Sequence, residues 1–319
     1  MERLNEVDVV IPIYNGATFV ADAINSVLQQ TAPPQEIIVV DDGSTDDTHA
    51  ILSSFGSVIR IIKHPENRGL PAARNTGIRA GSAPLIAFLD GDDVWAPNKL
   101  QRQLQEFSRD RTPGLCYTSL WDCDANLIPI GRARSFRRRV CEEVFEELFT
   151  DSFPIPPSAV IVPRNVIVRC GYFNESMRKI EDLECWLRIA MLSTVSCVPE
   201  PLCFRRIQAQ SISSTWVVGE KLKWEFEVID RCAFAARKFN IVLPMSVDER
   251  KLLCVRRRLR KALLWNDKIG AKFYKDKLIG LGCYSVIDRV VSFFLARRTS
   301  LLILLSPITR KVKDFVRQL

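Results

Sequence analysis

A chain of 319 residues, 47% hydrophobic and 26% charged, is long enough for one large globular domain with an appendage or for two domains, and its composition is that of an ordinary globular protein. Its net charge of +8 is unevenly spread: residues 216–319 carry 23 Lys and Arg against 10 Asp and Glu, whereas residues 1–215 carry 22 against 27. Ten cysteines without a CxxC pair, and only His49 and His64 as histidine partners, argue against a zinc site and point to reduced thiols in a cytosolic compartment.

In chain order, Val7 to Ile13 reads as a first strand, and Phe19, Val20, Ala23, Ile24, Val27 and Leu28 follow at helical spacing. Glu36 to Val40 is a second strand that ends in Asp41-Asp42-Gly43-Ser44. A helix is expected from about Thr45 to Phe55, capped by Ser44 or Thr45, and a third strand over Val58 to Ile62. Pro71 opens a helix that Gly81 closes, and Leu85 to Leu89 is a fourth strand. This rhythm predicts parallel βαβ units in a doubly wound sheet. Pro97 to Phe107 continues as a helix, Gly114 to Ser119 as a strand and Ser158 to Val162 as another. A helix begins near Glu181-Asp182, and Val195 to Val198 and Leu202 to Arg205 read as two final strands. Arg132, Arg134, Arg137, Arg138 and Arg139 make a basic stretch, either a solvated loop or a contact for phosphate or acceptor. After about Trp216 turn signals thin out and helical patterns with basic faces take over.

The fourth strand is a five-residue apolar run that ends at once in Asp90-Gly91-Asp92-Asp93. Such a run is buried on both faces, and isolated carboxylates are too costly to bury, so the acids belong at the carboxyl edge of the sheet. Open α/β sheets bind ligands at that edge. In a parallel sheet the acids of Asp41-Asp42-Gly43 converge on the same edge. A polar turn alone explains one such cluster, but two converging clusters favour a site, and their hard oxygens suit Mg²⁺ or Mn²⁺ carrying a phosphate.

Four segments now coincide: Ile11-Pro12-Ile13-Tyr14-Asn15-Gly16, Val39 to Asp46, Asn67 to Gly77, and Phe88-Leu89-Asp90-Gly91-Asp92-Asp93. In order and spacing they resemble the family 2 glycosyltransferases, over roughly residues 7–215. The resemblance implies a GT-A fold, Rossmann-like with a mostly parallel sheet flanked by helices, and an inverting transfer from a nucleotide-sugar donor, a UDP-sugar favoured. By resemblance Pro12, Tyr14, Asp41 and Asp42 contact the nucleoside, with Pro12, Gly16 and Gly77 also open to a purely structural reading as turn formers. Arg74 stands beside the nucleotide or makes a surface salt bridge. Asp90 and Asp92 form a DxD motif, Asp92 and Asp90 holding Mn²⁺ or Mg²⁺ and Asp90 and Asp93 also touching the donor.

Gly171-Tyr172-Phe173-Asn174-Glu175 followed by Glu181-Asp182 fits the same family, in which Asp182 would be the general base. Acids in a first helical turn are also favoured by the helix dipole without any chemistry, and a carboxylate so placed is expected to stay ionised at neutral pH. Trp186 reads as core, and Arg188 as an ion pair or a phosphate contact. Gln208 stands where the family often has a histidine, which puts metal binding in doubt or shifts it to Arg206. A catalytically silent GT-A nucleotide-binding or membrane-scaffold protein is therefore the second reading. An oxidoreductase is disfavoured because no GxGxxG follows the first strand.

The division expected is a catalytic domain over 1–215 and a basic helical region over 216–319. That region either packs on the core as a bundle or lies on acidic lipid, where a glycan or lipid-linked acceptor would be found. No nucleic-acid motif is present, so no nucleic-acid partner is expected. Met1 to Asp8 lacks an apolar signal core, and no segment reaches the roughly 18–20 apolar residues that span a bilayer. The nearest, Thr299 to Thr309, is short and interrupted by Pro307. The expected location is cytoplasmic, with room for a peripheral position on the inner face of the membrane.

Overall fold

The computed structural model describes residues 6–108, 112–136, 141–151, 155–208 and 217–284. They fall into two compact units, Met1–Thr215 with Arg231–Pro244, and Trp216–Asp230 with Met245–Leu319. The first unit is built on β1 (Val7–Ile13), β2 (Glu36–Asp41), β3 (Arg60–Lys63), β4 (Leu85–Phe88), β5 (Val94–Trp95), β6 (Leu115–Cys123), β7 (Val160–Pro163) and β8 (Val195–Arg206). These form one sheet in the order β3-β2-β1-β4-β7-β6-β8-β5. β1 pairs in parallel with β2 and β4, and β2 with β3, so the first four strands all end on one edge. Beyond β4 the sheet is mixed: β7 is antiparallel to β4 and β6, and β5 to β8. The two strands expected over 195–205 are one strand, β8, parallel to β6 with register shifts near Ser119.

Alternation along β1 assigns its faces. Val7, Val9, Ile11 and Ile13 join a core with Val20, Ala23, Ile24 and Val27 of α1 (Val20–Leu28). Leu100, Leu104 and Phe107 of α4 (Lys99–Phe107) share that core; α2 (Thr48–Ser54) and α3 (Leu70–Ala80) lie between α1 and α4 in the chain. Full burial of each such Val, Ile or Leu contributes roughly 1.5–3 kcal/mol. On the opposite face Val10 meets α3, where a Cβ on Gly77 would lie 2.4 Å from Val10 Cγ1, so only glycine permits this approach. Helices α5 (Cys141–Asp151), α6 (Arg164–Arg169) and α7 (Glu181–Leu192) complete the first unit's later half. Trp186 of α7 is core, in an aromatic cluster with Phe88 and Phe173.

Some local expectations change. The second helix starts at Thr48, because Ser44 and Thr45 are drawn into the site loop: Ser44 N donates to Asp41 Oδ1 and Thr45 N to Asn15 Oδ1, while Asp46 accepts from Thr48 N. Arg134 pairs with Asp122 at 2.6 Å and Arg132 lies on the surface, whereas Arg137, Arg138 and Arg139 lie outside the described residues. One charge is buried in the core with no hydrogen bond. Lys99 Nζ sits 3.8 Å from the centre of the Trp95 ring, and burial pushes its pKa down to about 7.

The second unit contains the start of α8 (Glu220–Lys238), whose residues from Arg231 onward belong to the first unit, together with α9 (Val247–Leu264) and α10 (Lys268–Gly280). Ser246 and Glu249 form a capping box at the head of α9, and Asp267 Oδ1 accepts from Gly270 N at the head of α10. Glu225 pairs with Arg258, and Lys251 with Asp230. Among the described residues no helix is long and apolar enough to cross a membrane. The apolar stretch Thr299 to Thr309 lies outside them.

Candidate active site

The parallel half of the sheet delivers its acids to one edge. Asp41 is the last residue of β2, paired with Ile13 and Lys63, and Asp90 follows β4 after Leu89. The turn Asp90–Asp93 is held by two neighbours distant in sequence. Ser158 Oγ accepts from Asp90 N at 3.0 Å and donates to Asp93 Oδ2 at 2.5 Å. Arg206 donates its backbone N–H to Asp93 Oδ1 and its guanidinium to Asp92 O, and pairs with Asp22 at 2.6 Å. Asp93 is thus turned inward, with both oxygens engaged, and burial followed by the charges of Asp92 and Asp90 raises its pKa well above the usual range. Asp92 is pushed up to about 6 by burial and then by Asp90.

Arg74 is the hub. Its side chain is 1% exposed, not at the surface, and it bridges two carboxylates: Nη2 to Asp90 Oδ1 and Nη1 to Glu181 Oε1, both at 2.7 Å. Its guanidinium also lies over the Phe173 ring. Burial works against its charge, but Asp90 and Glu181 outweigh that and raise its pKa. The ion pair joins β4 to the N-terminus of α7, which carries Asp182. The residue before α7, Ile180, has φ 52°, a left-handed conformation that is strained for a β-branched side chain. Asp182 Oδ1 accepts from Leu183 N, yet its pKa rises to about 7, first through burial and then through the charge of Glu181, with Arg74 opposing. The helix terminus therefore does not keep Asp182 fully ionised at neutral pH, because desolvation and a neighbouring carboxylate outweigh the dipole.

The remaining sequence-predicted residues line the same edge in different states. Tyr14 is 47% exposed just past β1, whereas Pro12 is buried within β1 opposite Val40. Asp42 is buried and accepts from His64 Nδ1 at 2.6 Å, Arg68 N at 3.0 Å and Gly69 N at 2.8 Å, so it organises the loop entering α3. Asp41 gives one oxygen to Ser44 N, and its other oxygen, Oδ2, has no hydrogen bond and faces His49 Nδ1 at 3.5 Å. Arg188 is structural: it binds Glu184 and the carbonyls of Cys170 and Tyr172.

A divalent cation is tested by the donors on offer. Among the described residues no group of three or more His, Cys, Asp or Glu is arranged to hold a metal. Arg74 takes Asp90 Oδ1, and Gln208 Nε2 donates to Asp92 Oδ2 at 3.1 Å, so the pair offers at most one further oxygen apiece. Mg²⁺ and Mn²⁺ are commonly held by one or two carboxylates, with phosphate and water completing the shell. Burial and then the charge of Asp90 raise Asp92, and a cation at its free oxygen would offset both. The donors left free would suit such an ion, with Asp92 and Asp90 as the residues that would hold it.

Sequence reasoning missed Ser158, His64, Asn75 and the Arg74–Glu181 pair. Asn75 binds the backbone of Phe173 in both directions, at 2.8 and 3.0 Å, and Glu175 Oε1 at 2.9 Å, which clamps the loop before α7 onto α3. No local signal marks these residues, whose partners stand 12 to 107 positions away.

Residues 8–129 match the family described as Glycosyl transferase family 2. An uncharacterized glycosyltransferase of Rickettsia prowazekii is 30% identical over 215 residues, covering 66% of each chain, so this chain spans about two thirds of that relative's length. The Escherichia coli protein WfgD, named a UDP-Glc:alpha-D-GlcNAc-diphosphoundecaprenol beta-1,3-glucosyltransferase, is 38% identical over 99 residues, 31% of this chain and 39% of its own. The crystal structure of S. aureus TarS 1-349 in complex with UDP-GlcNAc superposes with a TM-score of 0.62 at 16% identity, covering 78% of this chain and 70% of that one, a likeness of fold. The chain carries a family 2 glycosyltransferase domain on an α/β fold of the GT-A type.

Proposed function

We propose that this protein is an inverting glycosyltransferase that moves a sugar from a nucleotide-diphosphate donor, a UDP-sugar by preference, to a hydroxyl of a glycan or lipid-linked acceptor. The observation that carries the proposal is the Asp90–Arg74–Glu181 bridge, which ties the acidic sheet edge to the helix bearing Asp182. The catalytic region is taken as 1–215 and the basic helical region as 216–319. WfgD's named donor and diphospholipid acceptor, and the UDP-GlcNAc bound to TarS, support the choice of substrates.

In this reading Asp182 is the base. A carboxyl titrating near 7 is well matched to taking a proton from a hydroxyl at neutral pH. The acceptor oxygen forms its bond to the anomeric carbon as the bond to the diphosphate breaks on the opposite face, and the proton goes to Asp182. A divalent cation on Asp92 and Asp90 would, when bound, neutralise charge on the departing diphosphate. Tyr14 and Asp41 contact the nucleoside, Pro12 and Asp42 shape its pocket, and Asp93 positions the turn. Arg74 acts as counter-ion to Asp90 and Glu181.

The test combines purified protein, a panel of UDP-, GDP- and dTDP-sugars, Mn²⁺ and a diphosphoundecaprenol-linked sugar. Transfer is expected from at least one donor, and Asp182→Asn should reduce it by about a thousandfold or more while donor binding survives. Full activity in Asp182→Asn would remove Asp182 as base. Gln208 on Asp92 favours the second reading, a silent GT-A binding protein. Donor binding without turnover across acceptors would establish that reading instead.

A further inference from the structure

The second unit carries a surface that the reaction above does not use. Where α9 gives way to α10, Leu264, Trp265 and Ile269 are 51%, 73% and 76% exposed. Lys261 Nζ lies 4.4 Å from the centre of the Trp265 ring. α10 turns Gly270, Tyr274 and Leu278 inward. With about 3.6 residues per turn, Lys268, Lys272 and Lys275 then share the outward side with Asp276, and Ile269 flanks them. Asp276 is the one acid within α10. Between 245 and 284 the sequence holds eleven Lys and Arg against four Asp and Glu, two of which, Glu249 and Asp267, cap helices.

An exposed indole with Lys261 over its ring, and an exposed isoleucine on a lysine-bearing helix, are poorly suited to water alone. They match a bilayer interface, where tryptophan sits at headgroup level and lysine stems run along apolar surface with their ammonium groups among phosphates. The charge complement is an anionic headgroup. The sequence continues in the same composition beyond the described residues, with Arg289, Arg297, Arg298, Arg310, Lys311 and Lys313 among apolar residues.

We propose that the α9–α10 corner docks the protein peripherally on an anionic lipid surface, with Trp265 and Ile269 entering the headgroup layer and Lys261, Lys268, Lys272 and Lys275 facing lipid phosphates. This docking is independent of sugar transfer, and it is scored without donor or acceptor. The full chain is sedimented with phosphatidylcholine vesicles made with and without phosphatidylglycerol. Binding is expected only with phosphatidylglycerol, and it is lost at high salt. Lys268→Gln with Lys272→Gln should weaken it about thirtyfold, and Trp265→Ser with Ile269→Ser about tenfold. Circular dichroism checks that both double variants are folded. Absence of vesicle binding, equal binding to neutral vesicles, or unchanged binding by both folded double variants would overturn the proposal. A dimer that Trp265→Ser dissociates, in a protein that ignores vesicles, would assign the face to a second copy of the chain.

Discussion

The acidic edge of the sheet and the basic corner of α9 and α10 are both dense in charge, but they handle it in opposite ways. At the edge the charges are buried or half-buried, and each is answered by a named partner: Arg74 by Asp90 and Glu181, Asp42 by His64 and two backbone N–H groups, Asp93 by Ser158 and Arg206. At the corner, Lys268 and Lys272 are exposed and make no ion pair among the described residues. Burial removes water as the default partner, so at the edge neighbouring charges bear on the titration of Arg74, Asp92, Asp93 and Asp182. Exposed lysines are screened and act nearly independently.

The sharpest way to break this contrast is Arg74→Met. It leaves Asp90 and Glu181 facing each other without a cation, and should cost about 3 kcal/mol of stability along with transfer activity. Adding Glu181→Gln should return part of that stability; a strictly additive loss in chemical denaturation would show that the bridge is not a coupled unit. Lys99 is the exception at the buried end, a core charge with no hydrogen bond. Unfolded, it keeps its proton to about 10.4, and folded only to about 7, so folding is penalised as pH falls between those values. Lys99→Met should therefore stabilise the protein by about 2 kcal/mol at pH 6, with the gain fading by about pH 10. A pH-independent difference in melting temperature would contradict this. The smallest effect is kinetic. With Asp182 as base, transfer should rise as pH increases through about 7. Because the charge of Glu181 adds to burial in raising that value, Glu181→Gln should move the limb down by roughly one pH unit. An unmoved limb would separate Glu181 from the base.

Much of the first unit was legible because its signals are local. Leu85 to Leu89 is fully apolar and Val7 to Ile13 is apolar but for Asp8, so both read as buried strands, and Pro71 and Gly81 bracket α3 where expected. The strand ends place Asp41, Asp42, Asp90, Asp92 and Asp93 on one edge as expected, but Asp41, Asp42 and Asp93 are buried there rather than turned out, because hydrogen bonds from the fold take the place of water. The start of α2 was misplaced because Ser44 and Thr45 look like caps in sequence, but hydrogen-bond to Asp41 and Asn15 in space. The antiparallel placement of β7 was equally invisible, since a four-residue apolar strand carries no sign of its neighbour's direction.

The sequence by itself determined which residues gather at the sheet edge, because burial and strand polarity follow from local pattern. Tertiary structure decided what state each is in. Arg74, expected beside the nucleotide or in a surface salt bridge, is buried between two carboxylates; Asp93 faces inward while Asp90 remains partly exposed; and Asp182 is pushed up to about 7 although it lies in the first turn of a helix. The physical reason is that ionisation depends on desolvation and on charges within a few ångströms, and Glu181 and Arg74, 107 residues apart in the chain, meet only when the fold is complete.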